Sequence, residues 1–319
     1  MHDAQTGTNV HHKALSTVLA ITIAITVAVV VGAAQREPRD PTLFRGSVDL
    51  VNVGVTVAGK KQRLVTNLTV NDFAVYEDGK PQSIFAFASG AESGPALHVG
   101  ALLDVSASQN LDLEFTQKAV IKFLTALPEA ADMTFIDFAS QVRGGRYAQS
   151  DFPRLVKRVR SLTAHGETAL YDAIGVYLDG ASEQDGRKVM VLYTDGEDTQ
   201  SSLSLDSLMK LLKASDVTVY AIGALEKQPF RVQLIQRALL ADIAEATGGT
   251  AFFPSNVKDL DRIYAQVLGE VRAQYTIGYL SSNEKADGAW RKVDVKVMRE
   301  DAKDLHIRAR KGYYAPSRP

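Results

Sequence analysis

The stretch Ala101-Leu102-Leu103-Asp104-Val105-Ser106-Ala107-Ser108 decides how this chain is read. Three apolar residues end a buried strand, and a carboxylate and two hydroxyls follow at alternate positions. Val191-Leu192-Tyr193 runs into Asp195 in the same way. Both carboxylates therefore fall at a strand mouth and not in a core. In an open parallel sheet, ligands collect outside the carboxyl ends of the strands, where strand order reverses. The chemistry is expected at that edge.

Outward from this stretch, strand and helix patterns alternate. Helices are expected over residues 111–127, 152–161, 169–178, 205–213, 233–246 and 258–271, and strands over 133–138, 142–148, 189–193, 217–222 and 251–253. Thr247-Gly248-Gly249 is a helix stop before the last of these strands. Such alternation predicts an α/β fold with a doubly wound, mostly parallel sheet and helices on both faces.

On either side the period changes to two. Val51, Val53, Val55 and Val57 alternate with polar or small residues, and the runs 73–76 and 84–87 are read as strands joined through the turn dipeptide Asp78-Gly79. After residue 271, alternation returns at Tyr275, Ile277 and Tyr279, at Val293, Val295 and Val297, and at Leu305, Ile307 and Ala309. A few strands do not make a stable domain alone. Residues 42–91 and 272–316 are therefore expected to form one β-sandwich-like domain, with the α/β domain, residues 92–271, inserted between them.

The donor set at the strand mouths selects among ligands. Asp104, Ser106, Ser108, Thr168 and Asp195 offer carboxylate and hydroxyl oxygens, and the chain has no cysteine. That disfavours zinc, iron and copper and suits a hard divalent ion, Mg2+ or Mn2+, with Ca2+ also open. The order and spacing of these residues resemble the metal-ion-dependent adhesion site (MIDAS) of von Willebrand factor type A (VWFA) domains. In that family Asp-x-Ser-x-Ser lies on one loop, a Thr on a second (here in Gly166-Glu167-Thr168-Ala169) and an Asp on a third (here in Thr194-Asp195-Gly196). The flanks, in Phe44-Arg45, Val48-Asp49-Leu50-Val51, Glu77-Asp78-Gly79, Gly278-Tyr279 and Arg310-Lys311-Gly312-Tyr313-Tyr314, resemble the exported acidobacterial-type VWFA-related family. The resemblance implies a binding or adhesion module of the bacterial cell envelope, in which the ion's open position accepts a carboxylate from a protein or peptide partner.

Composition and the N-terminus set the remaining bounds. With 319 residues, 45% of them hydrophobic, the chain can bury a substantial core, and 36 basic against 37 acidic residues provide no global field for nucleic acid. Residues 15–34 are uncharged and follow Lys13, which reads as an export signal or an inner-membrane anchor, with small residues suited to cleavage at Gly32-Ala33-Ala34. Residues 1–34 are thus the export segment and 35–41 a linker, placing the remainder in the periplasm, on the cell surface or in the medium. His2, His11 and His12 precede the export segment and are poor metal ligands in a tail.

Blander readings apply elsewhere. Glu197 and Asp198 fit a solvated helix start better than metal ligands, His165 an exposed loop, and Lys60-Lys61-Gln62-Arg63, without interleaved aromatics, a hairpin loop better than a nucleic-acid site. An enzymatic reading, with Asp104 as a phosphoryl acceptor beside magnesium, lacks its general acid, because Ser106 occupies the position where phosphatases of the haloacid dehalogenase type carry a second Asp. No lysine-bearing phosphate loop is present either. The expectation is a non-enzymatic binding module; a structural envelope protein whose metal only staples its loops is the alternative. Oligomeric state is not legible.

Overall fold

The structure is a computed structural model that describes residues 50–90 and 94–317. The segments read as export signal and linker, the N-terminal histidines and the motif residues Phe44, Arg45, Val48 and Asp49 lie outside the described residues. Four strands come first: β1 (Leu50–Ala58), β2 (Phe73–Glu77), β3 (Lys80–Gln82) and β4 (Ile84–Ser89). There follow β5 (Leu97–Asp104), α1 (Leu113–Thr125), β6 (Ala130–Phe138), β7 (Val142–Ala148), α2 (Phe152–Arg160), α3 (Leu170–Ser182) and β8 (Arg187–Thr194). Next come α4 (Leu205–Ala214), β9 (Val217–Gly223), α5 (Phe230–Ala246), β10 (Thr250–Phe252) and α6 (Leu260–Ala273). The chain closes with β11 (Tyr275–Leu280), β12 (Trp290–Val297), β13 (His306–Ala309) and β14 (Gly312–Tyr314). Among the described residues no helix is long and apolar enough to cross a membrane.

Strands β5 to β10 build one six-stranded sheet in the order β10-β9-β8-β5-β6-β7, parallel except for β7, which pairs with β6 as an antiparallel edge. The central strands are buried on both faces, so β8 is apolar from Val189 to Tyr193 and buried along its whole length. One face packs Val99, Ala101 and Leu103 against α1, α2 and α6; the other packs Leu102, Met190 and Leu192 against α3, α4 and α5. The chain leaves β5 toward β6 on one side and later returns to β8 on the other. The switch point therefore lies between the ends of β5 and β8. Helix α5 starts at Phe230, directly after Pro229, three residues ahead of the expectation, because its exposed first turn carries no inward periodicity.

Two antiparallel four-stranded sheets, ordered β13-β1-β11-β4 and β14-β12-β2-β3, share one core. Val51, Val53, Val55 and Val57 of β1 meet Phe73 and Val75 of β2, Tyr275, Ile277 and Tyr279 of β11, and Val293, Val295 and Val297 of β12. Both sheets thus draw strands from both ends of the described chain, β1 lying between β11 and β13. One expectation is corrected. Asp78-Gly79, with φ of 49° and 80°, makes the tight hairpin turn its sequence calls for, but it joins β2 to β3 and not to the run at 84–87. Strand β3 holds Pro81 on a sheet edge and has no apolar pattern, so periodicity does not reveal it. The run at 84–87 becomes β4 and pairs with β11 in the other sheet, across a bulge that leaves Phe85 exposed.

Candidate metal centre

The site grows from the two central strands. β5 and β8 run parallel in register, with Leu103 opposite Tyr193, so Asp104 and Thr194 emerge side by side at the same sheet edge. Val105 donates its N–H to the Phe138 carbonyl at 2.8 Å, and the chain then turns through a short 3-10 segment, Ala107–Gln109. Asp104, Ser106, Thr168 and Asp195 are all buried, while Ser108 is exposed.

Four of the five sequence-predicted residues belong to one hydrogen-bonded network. Asp104 Oδ1 accepts from the Ser106 N–H at 2.9 Å, and Asp104 Oδ2 accepts from Thr194 Oγ1 at 2.7 Å. Ser106 Oγ and Ser108 Oγ lie 3.0 Å apart, and Ser108 Oγ donates to Asp195 Oδ2 at 2.7 Å. Asp195 Oδ2 also accepts from Gln109 Nε2 at 3.0 Å and Gln228 Nε2 at 3.4 Å, and Asp195 Oδ1 from the Glu197 N–H at 3.2 Å. Thr168 joins differently. Its backbone N–H donates to Thr199 Oγ1 at 3.0 Å, its carbonyl accepts from the N–H groups of Thr199 and Gln200, and its hydroxyl makes no hydrogen bond to the other four. The neighbouring Gly166 carbonyl accepts from the Ala107 N–H at 3.0 Å, which ties the Thr168 loop to the serine loop.

The electrostatics are those of an under-neutralised pair. Burial pushes the Asp104 carboxyl up to about 6, the charge of Asp195 adds to the rise, and the hydrogen bonds from Ser106 and Thr194 oppose it. Every hydrogen bond reaching the two carboxylates comes from a neutral donor. Burial also raises the neighbouring Tyr193 hydroxyl; its Thr116 hydrogen bond opposes this, and the charges of Glu226, Asp112 and Asp104 reinforce it. Glu226 Oε2 is itself buried without a hydrogen-bond partner among the described residues.

Sequence reasoning missed Thr194, Gln109 and Gln228, which orient the two carboxylates. Thr194 was legible as the residue closing an apolar strand before an Asp; the glutamines carry no such signal, because their reach depends on the fold. The reading of His165 as an exposed loop residue agrees with the structure, whereas the reading of Glu197 and Asp198 as a helix start is corrected, because the next helix begins only at Leu205. Asp198 Oδ1 accepts from the Tyr171 N–H at 3.2 Å and from Ser201 Oγ at 2.6 Å, thereby capping α3. Glu197 is exposed, and exposed His165 contacts the Thr163 carbonyl through Nδ1 at 2.8 Å.

The donor chemistry fits a hard divalent cation. Among the described residues no cationic group hydrogen-bonds the two buried carboxylates, and with the hydroxyls of Ser106 and Ser108 they make an oxygen site whose charge a divalent ion cancels. No group of three or more His, Cys, Asp or Glu side chains gathers as a metal cage among the described residues, and this set holds only two carboxylates, the rest of its donors being hydroxyls. Residues 98–266 match the sequence profile of the von Willebrand factor type A domain. The chain belongs to this family. VWA domains typically mediate metal-dependent adhesion or protein interaction, commonly through a divalent ion at a MIDAS, and are generally non-enzymatic. No curated protein sequence matches the chain. Among solved structures, it is similar to a von Willebrand factor type A protein from Catenulispora acidiphila, with 14% identity, a TM-score of 0.48, and coverage of 78% of this chain and 75% of that one. It is similar to an aerotolerance-related membrane protein from Bacteroides fragilis, with 19% identity, a TM-score of 0.44, and coverage of 55% and 98%. It is also similar to the pilus adhesin SpaC from Lactobacillus rhamnosus GG, with 11% identity, a TM-score of 0.48, and coverage of 80% and 49%.

Proposed function

We propose that this VWA domain is a metal-dependent binding module of the bacterial cell envelope, of the exported acidobacterial-type VWFA-related kind, carried out of the cytoplasm by residues 1–34. Asp104, Ser106, Ser108, Thr168 and Asp195 would hold Mg2+, Mn2+ or Ca2+, and the bound ion would supply an electrophilic position for a carboxylate of a protein or peptide partner. The observation that carries this reading is the convergence of two buried, cation-free carboxylates with the hydroxyls of Ser106 and Ser108 at the β5–β8 switch point. Protein as the partner class agrees with the exposed apolar side chains around that edge. Leu111 and Phe115 on one side, and Phe230, Leu234 and Ile235 on the other, are exposed, and an Asp112–Lys227 ion pair links the two segments.

The test is thermal unfolding with magnesium and with chelator. At an ion concentration a hundredfold above the dissociation constant, linkage adds about 2.7 kcal/mol of stability. For a domain of this size the melting temperature rises by roughly 5 to 10 °C. Asp104→Ala abolishes the rise and Thr168→Ala reduces it. Superimposable curves for the parent with and without every divalent ion tested would remove the metal from the mechanism. A metal-dependent melt with no metal-dependent partner in an envelope pull-down would reduce the ion to a structural staple.

A further inference from the structure

A nearly neutral chain concentrates positive charge at one corner. Residues 142–162 carry Arg143, Arg146, Arg154, Lys157, Arg158 and Arg160 against Asp151 as their only acid, although the whole chain has a net charge of -1. They occupy edge strand β7 and helix α2, and between them opens a cavity of about 710 Å³ lined by Arg143, Arg158, Ser161, Thr163 and His165, with Asp137 at its base. From this corner we propose a second anion-binding pocket beside the metal edge, seating an acidic side chain of the same partner polypeptide. The proposal rests on the reading of that edge as a carboxylate-binding centre.

The pocket is built before any ligand arrives. Arg158 is pinned at every nitrogen: Nε and Nη2 donate to Asp137 Oδ1 at 3.0 and 2.6 Å, Nη2 to the Arg143 carbonyl at 2.7 Å, and Nη1 to Tyr147 Oη at 3.1 Å. Gly145 leaves room for it, since a Cβ there would come within 3.2 Å of Arg158 Nη1. Arg143 donates only Nε to Asp137, at 2.8 Å, and its side chain is 51% exposed. One buried carboxylate thus faces two guanidinium groups, leaving a surplus positive charge and the Nη donors of Arg143 without an acceptor among the described residues. A guanidinium fork of this kind matches a carboxylate. The His165 Nδ1 contact with the Thr163 carbonyl leaves Nε2 without a partner among the described residues.

The pocket and the metal edge share their framework. Asp137 pairs in register with Leu103, the residue before Asp104, one strand spacing (about 4.8 Å) away. The His165 N–H donates to the Val105 carbonyl at 2.8 Å. A segment presenting one carboxylate at the ion would have a neighbouring acidic residue available to Arg143, whose Nε bonds Asp137 on the adjoining strand. An acidic polypeptide suits this surface better than nucleic acid, because Tyr147 is buried and Phe152 half-buried, leaving no aromatic platform for bases.

The probe is fluorescein-labelled octaglutamate, titrated into the full chain at low and moderate salt, with magnesium and with chelator. Binding is expected to be salt-sensitive, and Arg143→Gln is expected to weaken it about tenfold. Thr163→Glu, which adds a like charge to the rim without removing a side-chain hydrogen bond, is expected to do the same; Lys292→Gln on the β-sandwich leaves binding unchanged. Loss in both pocket variants but not with chelator would keep the pocket and defeat the metal reading. Loss with chelator or Asp104→Ala, but none in the two pocket variants, would overturn the pocket alone. No octaglutamate binding, or tighter binding of an oligothymidylate of equal charge, would overturn it as well.

Discussion

Two like charges are buried together at residues 104 and 195, and only neutral donors reach them. With a value near 6 against 3.8 in the unfolded chain, Asp104 binds its proton more tightly when folded. In the metal-free protein its ionisation is therefore a penalty, full above about pH 6 and lost as the pH falls toward 3.8, of at most about 3 kcal/mol. Lowering the pH from 8 to 5 in chelator should raise the parent's stability relative to Asp104→Asn, where this group no longer titrates. Saturating magnesium should reverse the sign, because the ion favours the ionised carboxylate. Melting temperatures of both proteins across this range provide the check; parallel pH profiles in chelator would mean that the Asp104 carboxyl is not strained. The five candidate residues were legible by type and spacing. The protonation energetics were not, since they depend on burial and on a charge 91 positions away in the chain.

Helix α3 illustrates how an element is held from outside its own sequence. Its N-cap residue, Ala169, offers no side-chain acceptor, so the loop after β8 supplies the cap. Asp198 accepts from the Tyr171 N–H and Ser201 Oγ from the Asp172 N–H, while Asp172 accepts from the N–H groups of Ser202 and Leu203 at 2.9 and 2.8 Å. Asp198→Ala should cost about 1 to 2 kcal/mol in urea unfolding while changing magnesium affinity by less than about threefold. A much larger loss of affinity at unchanged stability would place Asp198 among the ligands. The helices of the α/β region were readable from their apolar faces, whereas β3 and β14 were not. Each has three residues, too few for a period, and neither follows a helix stop of the kind that marks the equally short β10.

On the scale of the whole molecule, the two antiparallel sheets depend on strands from both ends of the described chain. β11 lies between β1 and β4, and β12 between β14 and β2, so the segment from residue 273 onward supplies the centre of both sheets. Ending the chain at Arg272 leaves Val51, Val53, Val55 and Val57 without their β11 and β12 partners and opens the edges of β1, β2 and β4. The shortened protein should aggregate. A soluble, monomeric, cooperatively unfolding product in size-exclusion and denaturation experiments would show that the remaining strands find another arrangement. Buried Arg187 of β8 adds a cross-tie, donating to the Val271 carbonyl at 2.5 Å and the Gly90 carbonyl at 3.2 Å on the two segments that enter the sandwich. Arg308 of β13 reaches Glu270 of α6 at 2.6 Å.

By itself the sequence determined the alternation of strands and helices, the parallel sheet and the edge at which oxygen donors collect. These follow from local periodicity and from the place where an apolar run stops. Only the tertiary structure decided that β4 crosses to the sheet opposite β2 and β3, and that Thr194, Gln109 and Gln228 satisfy the two carboxylates. It also decided that Arg143 and Arg158 close around Asp137. Backbone pairing leaves no mark on side-chain pattern, and a long side chain's partner is set by which strands the core brings together.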